Sequence, residues 1–519
     1  MENIRGKILW IDDEIQHLKP HIMYLESKGY NIDSTNNGND GVILAKKNKY
    51  DIVLLDQNMP GMDGLSTLKE LKINNPLVTI IMITKTEDEW LMDEAIIEKV
   101  EQFLIKPVNP SQIFMACKQA LERALIRSEK LMKDYLKEIR KIDDDLNLDL
   151  NIDKWWKLYD RLVDWQIKFD EHKDTGINYI LNDQNKNCNK EFSFFIEKNY
   201  CEWLKSKKRP VLSNDIFKKY VIPQINDNKK ICIIVIDCLR YDHFKVMREY
   251  LEPFFNMNIN YALSLIPTAT VYSRNAIFSG LFPDELIEKY PEQMLDMKRN
   301  SASLNKHEEL FLNDQLKREG FPYKKTHYHK IWDVEEGNRF LKKFHEHYNK
   351  DVISLVVNFV DLLAHNSSQT NVLKEIIYDD AGFRSAVKIW FENSWLLKVL
   401  KKLSQENYNV VITSDHGSIR VGSSTMVSAD KRASTGVRYK YGRNLNTNRK
   451  NALVIKNPED YRLPNFGPQP TYIIAKENYY FVYPNEAKKY QSKFRNSYQH
   501  GGISLEEIFI PVITLSGKR

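Results

Sequence analysis

Residues 51–64 read DIVLLDQNMPGMDG, an apolar run that ends in Asp56 and is followed by a turn containing proline and glycine. A short apolar run of this kind predicts a strand covered on both faces, as in a parallel sheet. Four more strand-like runs occur nearby: KILWI (7–11), NIDST (31–35), TIIMIT (79–84) and QFLI (102–105). Stretches with helical periodicity separate the runs. Residues 1–125 are therefore expected to form a five-stranded, doubly wound (βα)5 domain.

Polar residues follow these runs at the points where the strands should end. Asp12 and Asp13 follow KILWI, Asp56 ends DIVLLD, Thr84 ends TIIMIT and Lys106 follows QFLI. The carboxyl ends of parallel strands share one edge of the sheet, so these five residues should converge there. Three clustered carboxylates repel one another unless a hard cation lies between them, which predicts a Mg²⁺ site.

The pieces IDDE, LLDQNMPGMDG, ITK and IKP resemble the response-regulator receiver family and imply its CheY-like fold for residues 1–125. The resemblance implies that Asp56 is the phosphoacceptor and that a sensor histidine kinase is a partner. It implies that Asp12, Asp13 and the backbone carbonyl of Asn58 hold Mg²⁺. It also implies a homodimer as the phosphorylated form.

The same resemblance gives roles to the later strand ends of the receiver. Thr84 and Lys106 would contact the phosphoryl group, and Phe103 occupies the position of the aromatic switch. Phe103 departs from the commoner tyrosine, and Lys85 stands where the family usually has a small residue. A switch that depends on a tyrosine hydroxyl is therefore not expected.

A different pattern joins the receiver to the rest of the chain. Within DKWWKLYDRLVDWQIKFDE (153–171), apolar residues recur every three or four positions at Trp155, Leu158, Leu162, Trp165 and Phe169. This spacing predicts an amphipathic helix. Residues 126–208 are expected to form a helical connector bundle of two to four helices. A structural spacer is the first interpretation, and a separate ligand-binding domain is the alternative.

Residues 209–519 return to strong strands, KICIIVID (230–237), DVISLVVNFVD (351–361) and NVVITSDHG (409–417). They predict an α/β domain with a mainly parallel central sheet, and each run ends in a polar cluster where a ligand should bind. The domain offers seven candidate metal ligands, mostly at strand ends: Asp237, Thr270, Asp361, His365, Asp415, His416 and His500. Mixed carboxylate and imidazole ligands favour Zn²⁺ or Mn²⁺, and seven are too many for one ion. Two ions around a Thr270 nucleophile are expected.

The pieces IDCLRYD, PTAT…SRNAIFSGLFP, DxxxH, SDHG and HGGIS resemble the PglZ branch of the alkaline-phosphatase superfamily over residues 209–519. The resemblance implies that one zinc ion is held by Asp237, Thr270, Asp415 and His416, and the other by Asp361, His365 and His500. Thr270 is the expected catalytic nucleophile, and Ser273, three residues further on, is the alternative.

Substrate-binding residues are harder to read from the sequence. Arg274 and Asn275 follow the nucleophile and could bind non-bridging phosphate oxygens. In VRYKYGRNLNTNRK (437–450), basic residues that include Arg438, Lys440 and Arg443 alternate with tyrosines, a pattern that suits nucleotides. A solvated charged loop is the other interpretation of that segment.

The order of receiver, helical connector and PglZ-type domain resembles the PorX-like response regulators. That resemblance implies control of type IX secretion and a phosphodiesterase that acts on nucleotides or short, including cyclic, oligonucleotides. One alternative is a catalytically silent scaffold that binds a sigma factor or a secretion component. Another is DNA binding through residues 431–450, although no groove-reading helix is recognisable in the sequence.

Composition sets the remaining expectations. The chain has 519 residues, 42% of them hydrophobic, and a net charge of +6, which does not indicate a general nucleic-acid coat. Its five cysteines form no CxxC pair, which suits a reducing compartment. No apolar run reaches about 18 residues and no signal-peptide core is recognisable. A cytoplasmic protein without membrane insertion is expected.

Overall fold

The computed structural model describes residues 5–75, 78–85, 100–170, 175–227, 229–294, 305–367, 370–428, 436–465 and 470–518. The chain forms two compact units: Met1–Lys141 with Glu171–Lys173, and Ile142–Asp170 with Asp174–Arg519. Most of the segment expected to be a separate connector thus belongs to the same compact unit as the C-terminal α/β domain. None of the helices within the described ranges is long and apolar enough to span a membrane.

The first unit contains the expected parallel sheet. Its strands are β1 (Gly6–Ile11), β2 (Tyr30–Thr35), β3 (Ile52–Asp56), β4 (Thr79–Thr84) and β5 (Gln102–Ile105). Its helices are α1 (Lys19–Ser27), α2 (Gly38–Lys47), α3 (Gly64–Asn74) and the beginning of α4 (Pro110–Leu146). The strand order is β2-β1-β3-β4-β5 and all pairs are parallel. The predicted doubly wound receiver fold is confirmed.

Both faces of this sheet are covered, which explains why the strands are almost continuously apolar. Leu9 and Val53 pack in the core on one face, and Ile8 and Ile52 pack in the core on the other. All four side chains are fully buried. The carboxyl ends of β1 and β3 lie side by side in register, with Ile11 opposite Leu55, so the aspartates that follow them meet at one edge.

The last receiver helix continues far beyond the receiver. Helix α4 runs without a break for 37 residues, so the domain boundary expected at residues 125 and 126 falls inside it. Two long helices follow, α5 (Ile152–Asp170) and α6 (Thr175–Lys205). Helix α5 is amphipathic as predicted, because Trp155, Leu158, Leu162 and Phe169 are all buried. Its apolar face joins the core of the second unit.

The second unit is built on a six-stranded mixed sheet. Its strands are β6 (Ile231–Ile236), β7 (Phe255–Leu263), β8 (Thr326–Ile331), β9 (Val352–Val357), β10 (Asn409–Thr413) and β19 (Phe509–Gly517). Their order in the sheet is β7-β19-β10-β6-β9-β8. Strands β10, β6, β9 and β8 are parallel, whereas β19 runs antiparallel to β10 and to β7. The prediction of a mainly parallel central sheet is confirmed for the four strands that lead towards the candidate site.

Helices surround this sheet, and short strands form smaller sheets beside it. The helices are α7 (Ile222–Asn226), α8 (Tyr241–Met247), α9 (Thr270–Ser279), α10 (Pro283–Lys289), α11 (Glu308–Arg318), α12 (Val334–Lys343), α13 (Phe359–Asn366), α14 (Asn371–Ile376), α15 (Asp380–Asn393), α16 (Trp395–Gln405), α17 (Ala487–Phe494) and α18 (Leu505–Ile508). The short strands are β11 (Ile419–Arg420), β12 (Ser423–Ser428), β13 (Tyr439–Gly442), β14 (Asn446–Thr447), β15 (Ala452–Ile455), β16 (Thr471–Ala475), β17 (Tyr479–Val482) and β18 (Tyr498–Gln499).

Candidate metal centre and phosphoacceptor site

The acidic residues of the receiver form one pocket at the carboxyl ends of β1 and β3. One carboxylate oxygen from each of Asp12, Asp13 and Asp56 lies within 4.8 Å of the others. Nζ of Lys106 lies 3.0 Å from Oδ2 of Asp12 and 3.1 Å from Oδ2 of Asp56. Thr84 is fully buried at the end of β4, the strand next to β3. The structure therefore brings together all five residues that the sequence placed at this edge.

The electrostatics of this pocket favour an added cation. Burial and the charge of Asp12 raise the pKa of Asp56 to about 6, although Lys106 acts against the shift. Oδ1 of Asp56 is buried and accepts no hydrogen bond from the residues that the structure describes. An unpaired buried carboxylate oxygen is costly, and a divalent cation would satisfy it. The residues present thus fit a hard cation.

The remaining receiver residues lie at or near this edge. Asn58 is exposed two residues after β3, and Phe103 is half-buried in β5. Lys85 is exposed and its Nζ lies 3.2 Å from Oε1 of Glu14. Gly64 begins α3 against the phosphoacceptor strand, because a Cβ there would lie 2.5 Å from the carbonyl oxygen of Asp56. That glycine keeps the helix in close contact with the pocket.

In the second unit, a first group of candidate ligands comes from two adjacent strand ends. Asp237 follows β6, whereas Asp415 and His416 follow β10, and all three are at least 96% buried. Nε2 of His416 lies 3.8 Å from Oδ1 of Asp237 and 3.7 Å from Oδ2 of Asp415. The hydroxyl oxygen of Thr270, at the first residue of α9, lies 3.0 Å from the same Nε2.

A second group lies next to the first. Asp361 and His365 are one helical turn apart on α13, and His365 Nε2 lies 3.3 Å from Asp361 Oδ1. Nε2 of His500 lies 3.3 Å from Nε2 of His365 and 3.9 Å from Oδ1 of Asp361. The rings of His416 and His500 stack with their centroids 4.2 Å apart, which joins the two groups into one centre.

This centre also fits divalent cations. Oδ1 of Asp237 and Oδ2 of Asp415 are buried and accept no hydrogen bond from the described residues. Burial and the neighbouring Asp415 raise the pKa of Asp237 well above its usual value, and burial raises the pKa of Asp415 to about 6. Burial works against ionisation of Asp361 too, but its contact with His365 lowers the pKa of this carboxyl. Cations between the groups would offset the cost of the buried carboxylates.

Backbone contacts orient two of the imidazoles in the way a metal centre requires. Nδ1 of His416 donates to the carbonyl of Gly417 at 3.1 Å, and Nδ1 of His500 donates to the carbonyl of Thr268 at 3.3 Å. Each contact leaves Nε2 without a proton and directed into the centre. Burial lowers the pKa of both histidines, which keeps the rings neutral, as metal ligation needs.

The alternative nucleophile of the sequence does not lie in this centre. The Ser273 hydroxyl is fully buried, 2.9 Å from the hydroxyl of Ser264 and 3.5 Å from the carbonyl of Leu265. Thr270 instead lines a cavity of about 350 Å³. That cavity is also lined by Asp237, Arg274, Asn305, Lys330, Trp332, Asn358, Asp361, His365, Tyr439 and His500. Thr270 is therefore the hydroxyl that the structure places beside the candidate ligands.

Two of the expected phosphate-binding residues have other contacts. Arg274 lines the cavity, but its guanidinium lies 2.5 Å from Oδ2 of Asp237 and 2.6 Å from Oε1 of Glu308. Asn275 is 1% exposed and does not line the cavity. Its Nδ2 donates to the carbonyl of Val271, and its Oδ1 accepts from Asn305. In the structure, Asn275 thus supports a cavity residue and does not itself reach the substrate space.

The expectation for Arg438 and Lys440 requires correction. Arg438 is fully buried and forms an ion pair with Glu507, and Lys440 is fully buried with its Nζ 4.7 Å from the ring centroid of Tyr483. Alternate residues of a strand point to opposite faces, so Tyr439 reaches the cavity while its two basic neighbours point away. Arg443 is exposed beyond β13 and does not line the cavity.

Reasoning from sequence missed several cavity residues and one network of ion pairs. Asn358 directly follows β9, so the strand-end rule could have found it, whereas Asn305, Lys330 and Trp332 carried no motif.

The network comprises Asp170, Arg240, Asp242, Asp380 and Arg384. Arg240 also donates to the carbonyl of Ser418 at 3.4 Å. It thereby connects the loop after Asp237 with the loop after His416. Arg384, which contacts both Asp242 and Asp170, joins the last residue of α5 to the same network.

Comparison with known families gives three consecutive matches. Residues 8–118 match the response regulator receiver domain, residues 125–204 match the PorX response regulator linker domain, and residues 216–515 match the BREX system PglZ alkaline phosphatase-like domain. The last match covers more than half of the chain. Both the receiver and the alkaline-phosphatase-like domain imply the use of metal ions, and the latter implies a phosphoesterase.

Similar individual proteins match the receiver segment. The transcriptional regulatory protein ResD of Bacillus subtilis is 31% identical over 118 residues, which are 23% of this chain and 49% of ResD. ZraR of Salmonella typhimurium is 33% identical over 129 residues, which are 24% of this chain and 28% of ZraR. The chain thus spans half or less of the length of these relatives.

Among solved structures, a receiver domain from Clostridium thermocellum is 28% identical, with 23% of this chain and 98% of that chain covered and a TM-score of 0.22.

The order of the three matched domains is the order of the elements described above. The chain therefore belongs to the PorX-like response regulators, in which a receiver domain and a linker domain precede a PglZ domain of the alkaline-phosphatase superfamily.

Proposed function

We propose that this protein is a response regulator in which phosphorylation of Asp56 controls a zinc-dependent phosphodiesterase in the PglZ domain. The observation that supports this proposal most strongly is the single cavity where Thr270 lies beside two adjacent groups of Asp and His ligands. One zinc ion would be held by Asp237, Thr270, Asp415 and His416, and the other by Asp361, His365 and His500. Bound there, two zinc ions would supply Lewis acidity to the reacting oxygens.

The chain's own residues prepare Thr270 for nucleophilic attack. Nε2 of His416 carries no proton when Nδ1 donates to Gly417, so its lone pair is available to a zinc ion next to the hydroxyl oxygen of Thr270, which lies 3.0 Å away. An ion held there would lower the pKa of that hydroxyl, and the proton would leave to solvent. Thr270 begins α9, where unpaired backbone N–H groups favour negative charge on its oxygen. The Thr270 oxygen would attack phosphorus while the bond to the leaving alcohol breaks, and that alcohol would take up a proton from solvent. Water would then displace the Thr270 oxygen from phosphorus, which releases a phosphate monoester and restores the hydroxyl.

Basic and amide groups in the cavity suit a phosphate diester. Arg274 supplies a buried guanidinium, and Lys330 and Asn305 supply further donors along the same wall. A cavity of about 350 Å³ is large enough for one nucleotide unit. Nucleotides and short oligonucleotides, including cyclic ones, are therefore the proposed substrates.

The receiver supplies the proposed control. Asp12, Asp13 and the carbonyl of Asn58 would hold Mg²⁺, and Asp56 would accept the phosphoryl group from a sensor histidine kinase. Thr84 and Lys106 would contact that group, and Phe103 would respond as the aromatic switch. A phosphorylated homodimer and a role in type IX secretion, through a sigma factor or a secretion component, complete the proposal.

The direct test uses the purified full-length protein with bis-p-nitrophenyl phosphate and with dinucleotides. Hydrolysis should require zinc, stop after chelation and change when a small phosphodonor such as acetyl phosphate is added. The variant Asp56→Ala should retain hydrolysis but lose the response to the phosphodonor. Hydrolysis that is indifferent to chelation would refute the metal-dependent mechanism, and a response that persists in Asp56→Ala would refute the control.

A further inference from the structure

An exposed tryptophan lies at the rim of the candidate catalytic cavity. Trp332 is 54% exposed, whereas Trp10, Trp155 and Trp395 are at most 4% exposed. Trp332 lines the same cavity as Thr270. A single exposed aromatic residue is common on protein surfaces, but this ring is set apart by its place in the lining of the cavity that holds the candidate nucleophile. This position therefore points to a ligand.

The carboxyl end of the edge strand β8 lies at the cavity. Strand β8 runs parallel to β9, so its carboxyl end lies at the same edge as the candidate metal ligands. Lys330 points inward, where its Nζ lies 3.5 Å from the carbonyl of Asn305. Trp332 follows directly after the strand, and its backbone N–H donates to Oε2 of Glu336 at 2.9 Å.

Lys330 and Trp332 form a pair. Nζ of Lys330 lies 4.5 Å from the centroid of the Trp332 ring, which is a favourable cation–π distance. The contact places the positive charge of Lys330 beside the ring, and both side chains line the cavity that Thr270 also lines. A planar ligand could stack on the free face of the indole while its phosphate approaches the ammonium group.

We propose that Trp332, held by Lys330, is a specificity-determining residue that stacks on a nucleobase of the substrate. This inference rests on the proposed phosphodiesterase function and names the part of the substrate that is read. Stacking on an aromatic ring tolerates every base because each base has a flat π-face. The site would therefore distinguish nucleotides from sugar phosphates without strong selection among bases.

Binding to the zinc-loaded full chain tests this inference apart from turnover. In a Thr270→Ala background, which should not consume the ligand, affinities for thymidine 5′-monophosphate and for 2-deoxyribose 5-phosphate are measured by calorimetry. The nucleotide should bind about 10- to 100-fold more tightly than the base-free compound. Trp332→Ala should abolish that difference, and Trp332→Phe should retain part of it.

A matched control is available in Tyr323, which is 95% exposed and does not line the cavity. Tyr323→Ala should leave both affinities unchanged. Equal affinities for the two ligands, or an equal loss of both in Trp332→Ala, would overturn the inference. If neither ligand binds although bis-p-nitrophenyl phosphate is hydrolysed, base stacking is refuted while the phosphodiesterase proposal stands.

Discussion

The hydroxyl oxygen of Thr270 lies 3.0 Å from Nε2 of His416, although the two residues are 146 positions apart in the chain. The first residue of α9 and the end of β10 bring them together. Gly417 lets the loop after His416 pack against the backbone of α18, because a Cβ there would lie 1.9 Å from the carbonyl oxygen of Glu506. The nucleophile and its imidazole partner are thus held by the fold before any substrate binds.

Removal of the Thr270 hydroxyl should abolish hydrolysis without emptying the metal centre. We expect Thr270→Ala to lower kcat by about 10³-fold or more, because the residual reaction would lack its nucleophile. Thr270→Ser should keep much of the activity. Ser273→Ala is the matched control, since Ser273 lies outside the cavity, and its kcat should remain near that of the parent. If Ser273→Ala loses activity while Thr270→Ala keeps it, in folded and zinc-loaded proteins, then Thr270 is not the nucleophile.

The buried carboxyl of Asp56 should make receiver stability depend on pH when Mg²⁺ is absent. Its pKa is raised to about 6, so the stability that the protonated group retains at low pH is lost as pH rises through about 6. At pH 7 the ionised carboxylate should cost roughly 1–3 kcal/mol. Asp56→Asn should remove that cost.

Calorimetry of the receiver transition, identified by its response to Mg²⁺, measures this effect. In chelator, Asp56→Asn should unfold at a higher temperature than the parent at pH 7.5, and the difference should shrink towards pH 4. An equal difference at both pH values would show that ionisation of Asp56 is not its cause.

Substitution of Arg438 should affect folding and not substrate recognition. Arg438 and Glu507 form a fully buried ion pair, and removal of one partner leaves a buried charge, at a cost of about 3–5 kcal/mol. We expect Arg438→Met to lower the unfolding temperature of the PglZ unit. The exposed Arg443 is the control, and Arg443→Met should change neither stability nor KM. A stable Arg438→Met variant with a raised KM would restore the substrate-binding interpretation.

The sequence was sufficient for the parts of the site that follow strands. Asp56 and Asp237 each end a continuous apolar run, and Asp415 follows β10 by two residues. Within each of the two sheets, parallel strands bring such ends to one edge. His365 followed from its spacing of four residues after Asp361 on a helix. These relationships depend on local periodicity, which is visible in a single sequence.

Other parts of the site depend on contacts between distant segments. The basic residues near β13 resembled a phosphate clamp, but the alternation of the strand and the remote Glu507 bury Arg438. Trp332 and Lys330 lie in the cavity only because β8 pairs with β9 in parallel. The length of α4 was also missed, because no glycine or proline marks an end of the receiver near residue 125.

Metal content tests the central claim most directly. Purified protein dialysed after exposure to zinc should retain about two equivalents per chain in the PglZ unit, and Asp361→Asn, which weakens one of the two ligand groups, should retain about one. Inductively coupled plasma mass spectrometry gives both values. Retention of less than one equivalent by the parent in excess zinc, or identical contents in the parent and Asp361→Asn, would contradict a two-metal centre.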